Sequence, residues 1–438
     1  MALNGQFNPE VVNQIARESG FLKRLRKLSP YGLICALIGT RSMEGKVSLL
    51  EYVNDLDDYM DIEITKQSLD AKFSESGVRF ARELFEHISK IINKEEEKSG
   101  KNVIKLKDST SFQCPSSMSA DFPGTGGGGS KAGMKLQYEA DFRGRIYDLD
   151  IGAMTSSDST DSQTKTDELK PGDLLIRDLG YVSIKALEAL EKKLAFYIYR
   201  LNNSNIYRKV KGKYIRLEYQ DLYDLINSEG RLEIEVYLTK KYFRTRLVAD
   251  IVPQEVYQKR VDGLRKSAKK KGFKVEKKNL VKQRMNLFIT NTDIDAEEIR
   301  SIYRLRWQVE LVFKSWKSYE NLDEIKEVKQ ERVLMELYAK LIWLAIKGRV
   351  EAEIAEWGRE NGNPLSLTKI RQNLAKYAKS VWDGFTWMFE ILTKKISRFN
   401  KRYKREVKKG KDGQKHDCEK VLKKLKNTEI KGLDSLYS

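Results

Sequence analysis

The sequence predicts an α/β core that carries a β-rich insertion and is flanked by all-helical N- and C-terminal regions. Three observations predict it. Patterning switches at Asn102 from helical periodicity to short apolar runs. A strand–helix–strand succession follows between Asp173 and Leu201, the unit from which α/β sheets are built. Helical periodicity then returns at Asp295, with no Gly or Pro before Lys317. The 438 residues exceed the usual size of one domain. They are expected to divide into 1–98, 99–330 and 331–438, with 203–284 interrupting the middle region.

Composition narrows the function. Lys and Arg number 82 against 63 Asp and Glu, a net charge of +19, which calls for a polyanionic partner, nucleic acid before anionic membrane. Three cysteines, Cys35, Cys114 and Cys418, lie far apart, so neither a disulfide framework nor a zinc knuckle is supported. With only two histidines, His87 and His416, histidine-based metal sites are excluded and Ser-His or Cys-His catalysis is disfavoured. Any metal must be held by oxygen, which selects Mg²⁺, with Mn²⁺ able to substitute. The N-terminus lacks the basic and apolar regions of a signal peptide, and no apolar run reaches membrane-spanning length. A cytoplasmic protein without membrane partners is expected.

Taken in order, residues 1–98 read as helices. Asn8-Pro9 and Ser29-Pro30 open two of them, a cap followed by a proline in the first turn. A basic knot, Lys23, Arg24, Arg26 and Lys27, lies between. Thr65 and Ser74 cap a pair over 66–72 and 75–93 with helix-turn-helix proportions, and Arg79 and Arg82 fall early on the second helix, where base or phosphate contacts sit in such pairs. Simple packing of two helices fits the same pattern. Past the linker Glu95–Gly100, Val103–Leu106 is a short strand with Asp108 at its end. Pro123–Gly133 is a flexible loop and not a phosphate-cradling one, since no Gly-Lys-Ser/Thr triplet closes it. Met134–Phe142 and Arg145–Ile151 alternate as a hairpin. Thr155–Thr166, rich in Ser, Thr and Asp, reads as a loop. Asp173–Arg177 is a strand with Asp178 at its end, followed by a helix over 183–193 and a strand over 195–201. Asp173 competes with Asp178 but begins its strand.

In the insertion, strands are expected at 213–218, 231–239 and 243–252, and a basic helix at 254–270. A lysine run from Lys269 to Lys282 follows, either a solvated face or a phosphate contact. Strand 286–291 returns the chain to the core. Beyond Lys317, helices are expected at 327–358 and 379–409. All six tryptophans lie between Trp307 and Trp387, and the end of the second of these helices is basic, suited to DNA or a second protomer.

The chemistry centres on Asp295–Lys317. Asp295 and Glu298 suggest a capping box. Tyr303, Arg306, Glu310 and Lys317 are spaced by three, four and seven, so on one continuous helix they share a side. A solvated face with ion pairs such as Arg306–Glu310 accounts for that spacing equally well. Asp108 and Asp178, each ending an apolar strand, add two carboxylates where ligands and metals collect in α/β sheets. Three hard oxygen donors fit two Mg²⁺ ions.

Tyr303, Arg306, Glu310 and Lys317 match the Y-(2)-R-(3)-E-(6)-K signature, and the chain here resembles the DDE transposases of bacterial insertion sequences, the insertion-sequence-four family. The order agrees: DST at Asp108, DLGY at Asp178, a β-rich insertion, then the signature. The resemblance covers about 100 to 320. It implies an RNase H-like core in which Asp108, Asp178 and Glu310 are the catalytic, metal-binding triad for two Mg²⁺ ions. Tyr303, Arg306 and Lys317 would contact DNA. It further implies cut-and-paste movement by nicking and 3′-hydroxyl strand transfer, an N-terminal region that binds the terminal inverted repeats, and a homodimer that pairs two double-stranded DNA ends and a target. A decayed, DNA-binding transposase and another RNase H-like nuclease are the competing readings.

Overall fold

A computed structural model describes residues 7–41, 46–97, 103–126, 131–141, 146–164, 169–201, 205–361 and 365–375. The chain opens with helices α1 (Pro9–Glu18), α2 (Pro30–Arg41), α3 (Leu49–Met60), α4 (Lys66–Asp70) and α5 (Glu75–Glu97). Strands β1 (Ile104–Cys114), β2 (Ala132–Asp141) and β3 (Ile146–Ala153) follow, then α6 (Asp158–Thr164), β4 (Leu174–Arg177), α7 (Ile184–Lys192) and β5 (Phe196–Arg200). The insertion holds β6 (Ile206–Val210), β7 (Lys213–Leu217), α8 (Tyr219–Glu229), β8 (Arg231–Leu238), β9 (Phe243–Ile251), α9 (Gln254–Lys271) and α10 (Lys277–Gln283). Strand β10 (Met285–Thr290) precedes α11 (Ala296–Tyr303), α12 (Trp307–Tyr319), α13 (Gln330–Glu360) and α14 (Leu367–Ala375). The helix expected at 379–409 lies outside the described residues.

Local chemistry sets many of these boundaries. The Asn8 side chain accepts from the Val11 amide with Pro9 in the first turn, and Ser48 and Glu51 form a capping box on α3. The Thr65 hydroxyl caps α4. Asp295 is the N-cap of α11, but its side chain makes no capping hydrogen bond, so the expected box is not built.

The described residues fall into two compact units. The first draws on the described residues up to 97, on those of 108–156 and on those of 307–375, the second on 103–107 and on those of 157–306.

In the first unit the strand order is β3-β2-β1, with β2 and β3 an antiparallel hairpin. Helix α13 packs on α5 and α2. The helical part is held by apolar faces, such as Phe80, Leu84 and Ile88 of α5, and by a buried polar knot. Glu320, fully buried, accepts from Trp343 Nε1 at 2.9 Å and pairs with Lys347, while Lys340 donates to the Glu320 carbonyl. The aromatic packing expected around the tryptophans is present: Trp316 meets Tyr138 edge-on at 4.9 Å.

In the second unit the order is β1-β4-β5-β10-β9-β8-β6-β7. Strand β4 runs parallel to Ile104–Lys107 of β1 and to β5, with α7 as the crossover. Strand β10 is antiparallel to both β5 and β9, so the insertion extends the same sheet instead of forming a separate body. Leu175, Tyr197, Leu247 and Ile289 lie in its continuous core.

Four expectations are corrected. Strand β1 continues to Cys114 because Thr110, Phe112 and Cys114 alternate inward, so Asp108 lies inside a strand and not at its end. The polar loop expected over Thr155–Thr166 contains helix α6. The insertion holds a strand, β6, and two helices, α8 and α10, that were not expected. The single helix Asp295–Lys317 is broken by a 3-10 turn at Arg304–Arg306. Leu305 is buried within that turn while Trp307 is 56% exposed, so burial is satisfied by re-aiming the chain instead of continuing one apolar stripe.

Candidate active site

The break redistributes the signature. Tyr303 and Arg306 belong to the second unit, whereas Glu310 and Lys317, on α12, belong to the first. The four residues therefore do not share one face of one helix.

In the second unit, Tyr303 Oη donates to Asp178 Oδ1 at 2.9 Å. The ring packs on Phe288 of β10 at 5.0 Å between centroids. Burial holds the Tyr303 phenol well above its ordinary pKa, and the Asp178 charge adds to this, with Arg306 opposing. The phenol therefore stays a donor across the neutral range. The Arg306 guanidinium carbon lies 6.0 Å from the centre of the same ring. Asp178 is half-buried and opens the short 3-10 turn Leu179–Tyr181, its carbonyl accepting from the Tyr181 amide.

Two buried cations precede the two aspartates in sequence. Lys107, 1% exposed, pairs with Asp161 of α6 at 2.5 Å. Arg177, 1% exposed, donates to Ser162 Oγ at 2.8 Å. The segment read as a loop is thus a helix pinned under the two parallel strands. Lys107 and Arg177 are register partners on the parallel β1–β4 ladder. Asp173 is excluded as a ligand candidate by its own contacts. It is buried at the start of β4, accepts from the Val103 and Lys170 amides, and faces Lys105 at 3.6 Å.

In the first unit, Glu310 is half-buried in the first turn of α12. Lys317 Nζ donates to the Ser111 carbonyl at 3.2 Å, on the strand that carries Asp108. Arg79 and Arg82 lie on the exposed side of α5, with Arg82 3.8 Å from Glu86.

Sequence reasoning missed a cationic cavity in the second unit. Arg200, Arg260 and Lys282 line it with Leu201, Gln283, Met285 and Leu287, and no carboxylate lines it. Burial, reinforced by the Arg200 charge, pushes the Lys282 amine down to about 8. The same two causes lower Arg260, which is fixed by the Met285 carbonyl at 3.1 Å and by Asn286 Oδ1 at 2.7 Å. Lys282 belongs to the lysine run, but Arg200 and Arg260 are remote from it in sequence and gave no signal. Lys107 and Arg177 did leave one: each is a cation in a largely apolar strand segment directly before an aspartate, Arg177 as the lone cation of its strand.

The donor chemistry fits a hard divalent ion, since Asp108, Asp178 and Glu310 offer only oxygen. Among the described residues, no three Asp, Glu, His or Cys side chains form a preassembled metal cage. No helix among them is long and apolar enough to cross a membrane.

Carboxylates that offer only oxygen, and a cavity lined by three cations, are the groups that a protein acting on a polyanion would carry. Residues 100–346 match the family model described as Transposase DDE domain. With more than half of its length matched, the chain belongs to the DDE transposases of insertion sequences, of the insertion-sequence-four type. The transposase for insertion sequence element IS231F of Bacillus thuringiensis subsp. israelensis is 30% identical over 401 residues, 86% of this chain and 82% of that one. The transposase for insertion sequence element IS1151 of Clostridium perfringens is 25% identical over 432 residues, 91% of each chain. The piggyBac transposase in its synaptic complex with hairpin DNA is similar in structure, with a TM-score of 0.50 at 11% identity, covering 94% of this chain and 86% of that one. That likeness is one of fold, the expected α/β, RNase H-like architecture with helical flanks.

Proposed function

We propose that this transposase moves its insertion sequence by cut-and-paste, nicking DNA at the element's ends and joining the freed 3′-hydroxyl to target DNA. One observation carries the reading: the two ends of the signature each bind a segment that bears one of the two aspartates. Tyr303 holds Asp178, and Lys317 holds β1 at Ser111. A solvated ion-pair face would give no reason for either contact.

Asp108, Asp178 and Glu310 are the residues that would hold Mg²⁺. When bound, two such ions supply charge stabilisation at the attacking and leaving oxygens of a phosphodiester. The chain's own groups do the rest. Tyr303 fixes the orientation of the Asp178 carboxylate and stays protonated while doing so. Arg306 suits a bidentate grip on a non-bridging phosphate oxygen pair, and Lys317 a single contact. The cavity of Arg200, Arg260 and Lys282 takes a neighbouring backbone phosphate. In the first step water attacks phosphorus, the O3′ bond breaks, and a 3′-hydroxyl and a 5′-phosphate result. In the second, that 3′-hydroxyl attacks a target phosphodiester, loses its proton to solvent, and displaces the target O3′. One phosphodiester is exchanged for another, so no external energy source is needed.

The N-terminal helices, with Arg79 and Arg82 outward, bind the terminal inverted repeats, and residues 331–438 contribute to pairing two subunits on two ends. The test is purified full-length protein with Mg²⁺ and DNA carrying the inverted repeats that flank its own coding region. Strand-specific nicks and joined products are expected, and Glu310→Gln is expected to abolish both while repeat binding persists. Unchanged cleavage by that variant overturns the assignment. Repeat binding with no Mg²⁺-dependent product from the wild type favours a decayed transposase, and cleavage without joining favours another nuclease.

A further inference from the structure

The far edge of the second unit carries a surface that the proposed chemistry does not use. Strands β6 and β7 form a hairpin through Lys211 and Gly212, both at positive φ (48° and 80°), as a two-residue hairpin turn requires. Strand β6 also pairs with β8, setting Tyr207 opposite Tyr237. The ladder places Tyr207, Lys209, Tyr214 and Tyr237 on one face of the sheet. The turn between β8 and β9 adds Tyr242. Tyr214 and Tyr242 stack with centroids 3.9 Å apart and planes 10° apart. Tyr207 meets Tyr242 edge-on at 5.2 Å, Tyr237 meets Tyr214 edge-on at 4.9 Å, and Lys209 Nζ is 5.6 Å from the Tyr214 ring.

This is not a core that happens to reach the surface. Residues 208–216 are exposed without interruption, and Tyr214 and Tyr242 keep 36% and 38% of their area in solvent. Tyr242 sits at φ 52°, a left-handed conformation disfavoured for a bulky residue. That φ closes the β8–β9 turn, where the Tyr242 amide donates to the Thr239 carbonyl at 3.2 Å, so it is the flat, exposed ring stack and not the backbone that points to use of the rings. Residues 205–217 and 236–249 contain no acidic side chain, and the carboxylates that border them are engaged: Glu235 by Arg244 at 2.6 Å and by the Tyr237 hydroxyl at 2.7 Å, Glu218 by Arg216 at 3.1 Å and Glu233 by Arg246 at 2.9 Å.

We propose that the β6–β7 and β8–β9 hairpins form a stacking platform for unpaired DNA bases, with the surrounding lysines and arginines following the phosphates. Exposed aromatic faces interleaved with cations suit a single strand, because every base has a π-face once it is out of the duplex. A duplex hides those faces and would need the cations alone. Five strand spacings separate β6 from β4, roughly 24 Å at about 4.8 Å each. The platform therefore takes DNA flanking the cut, several nucleotides from the phosphate that reacts. The proposal rests on the chain being a DNA-processing transposase and adds a substrate class to it, single-stranded DNA.

The test compares full-length wild type, Tyr214→Ala/Tyr242→Ala and Tyr214→Phe/Tyr242→Phe on two probes, fluorescein-labelled oligothymidylate and the duplex terminal repeat. The alanine pair is expected to weaken oligothymidylate binding at least 10-fold with duplex binding within about twofold of wild type, while the phenylalanine pair keeps both. Photocrosslinking of a 5-iodouracil oligonucleotide to wild type is expected to label Tyr214 or Tyr242. The proposal is overturned if the alanine pair binds oligothymidylate as wild type does, or if it loses both probes equally, which marks a purely electrostatic surface. It is also overturned if the alanine pair converts a dimer to a monomer in size-exclusion chromatography, which assigns the rings to self-association. Failure of the transposase reading is separate: there the wild type binds oligothymidylate but neither binds nor cuts its terminal repeats.

Discussion

Replacing Tyr303 with Phe removes one atom from the candidate active site and little else. The ring contact with Phe288 at 5.0 Å and the burial of the ring are retained, and only the hydroxyl that donates to Asp178 Oδ1 at 2.9 Å is lost. A hydrogen bond to a charged acceptor contributes about 1.5–3 kcal/mol. Asp178 is half-buried, so water partly replaces the donor and the lower part of that range applies, about 1.5–2 kcal/mol. At about 1.4 kcal/mol per tenfold, cleavage by Tyr303→Phe should fall by roughly 10–30-fold if the bond orients the carboxylate for reaction. The assay is single-turnover nicking of a terminal-repeat duplex at saturating protein, repeated over a Mg²⁺ titration. The variant should require more Mg²⁺ than wild type and bind the duplex equally well. Because burial, then the Asp178 charge, hold the phenol protonated above its ordinary range, the deficit should be constant from pH 6 to 9. Linkage gives the same sign for stability: the contribution of this phenol is complete below about pH 10 and is lost as pH rises beyond it. Nicking within twofold of wild type at every Mg²⁺ concentration would refute the orienting role.

Two further outcomes are expected. Lys282 is pushed down to about 8, so the cationic cavity loses charge as pH rises through that value; duplex affinity at constant salt should decline between pH 7 and 9, and Lys282→Arg should flatten the profile. A pH-independent wild type would remove Lys282 from phosphate binding. Asp161→Ala strips a carboxylate from a lysine that is 1% exposed, a change that costs about 3–5 kcal/mol in buried pairs, so the urea midpoint should drop markedly without a change in slope; an unmoved midpoint would show that α6 is not held by this pair.

The sequence disclosed the alternation of strands and helices well where one side of an element is apolar. The β2–β3 hairpin, β4, α7, β5 and β10 fall close to their expected positions, because period and flanking turn residues agree. It offered the candidate site as residue types in a fixed order. It failed where tertiary contacts override local pattern. Asp158–Thr164 is poor in helix formers and becomes helical through partners on β1 and β4. The turn at Arg304–Arg306 contains no Gly or Pro, so nothing in the local sequence marks the point where α11 ends and α12 begins. The cavity of Arg200, Arg260 and Lys282 unites residues far apart in sequence, and no periodicity could have joined them.

Helix α6 also fixes an order of assembly. Seven residues are too few for an isolated helix in water, and Asp158–Thr164 has no apolar face to compensate. Its helicity is borrowed from Lys107 and Arg177, which meet only after β1 and β4 have paired. On the reading proposed above, a nascent chain therefore carries both aspartates before it has the frame that aims them. Cutting chemistry waits for one of the last local elements to dock, and an unfinished polypeptide near chromosomal DNA is not yet a nuclease.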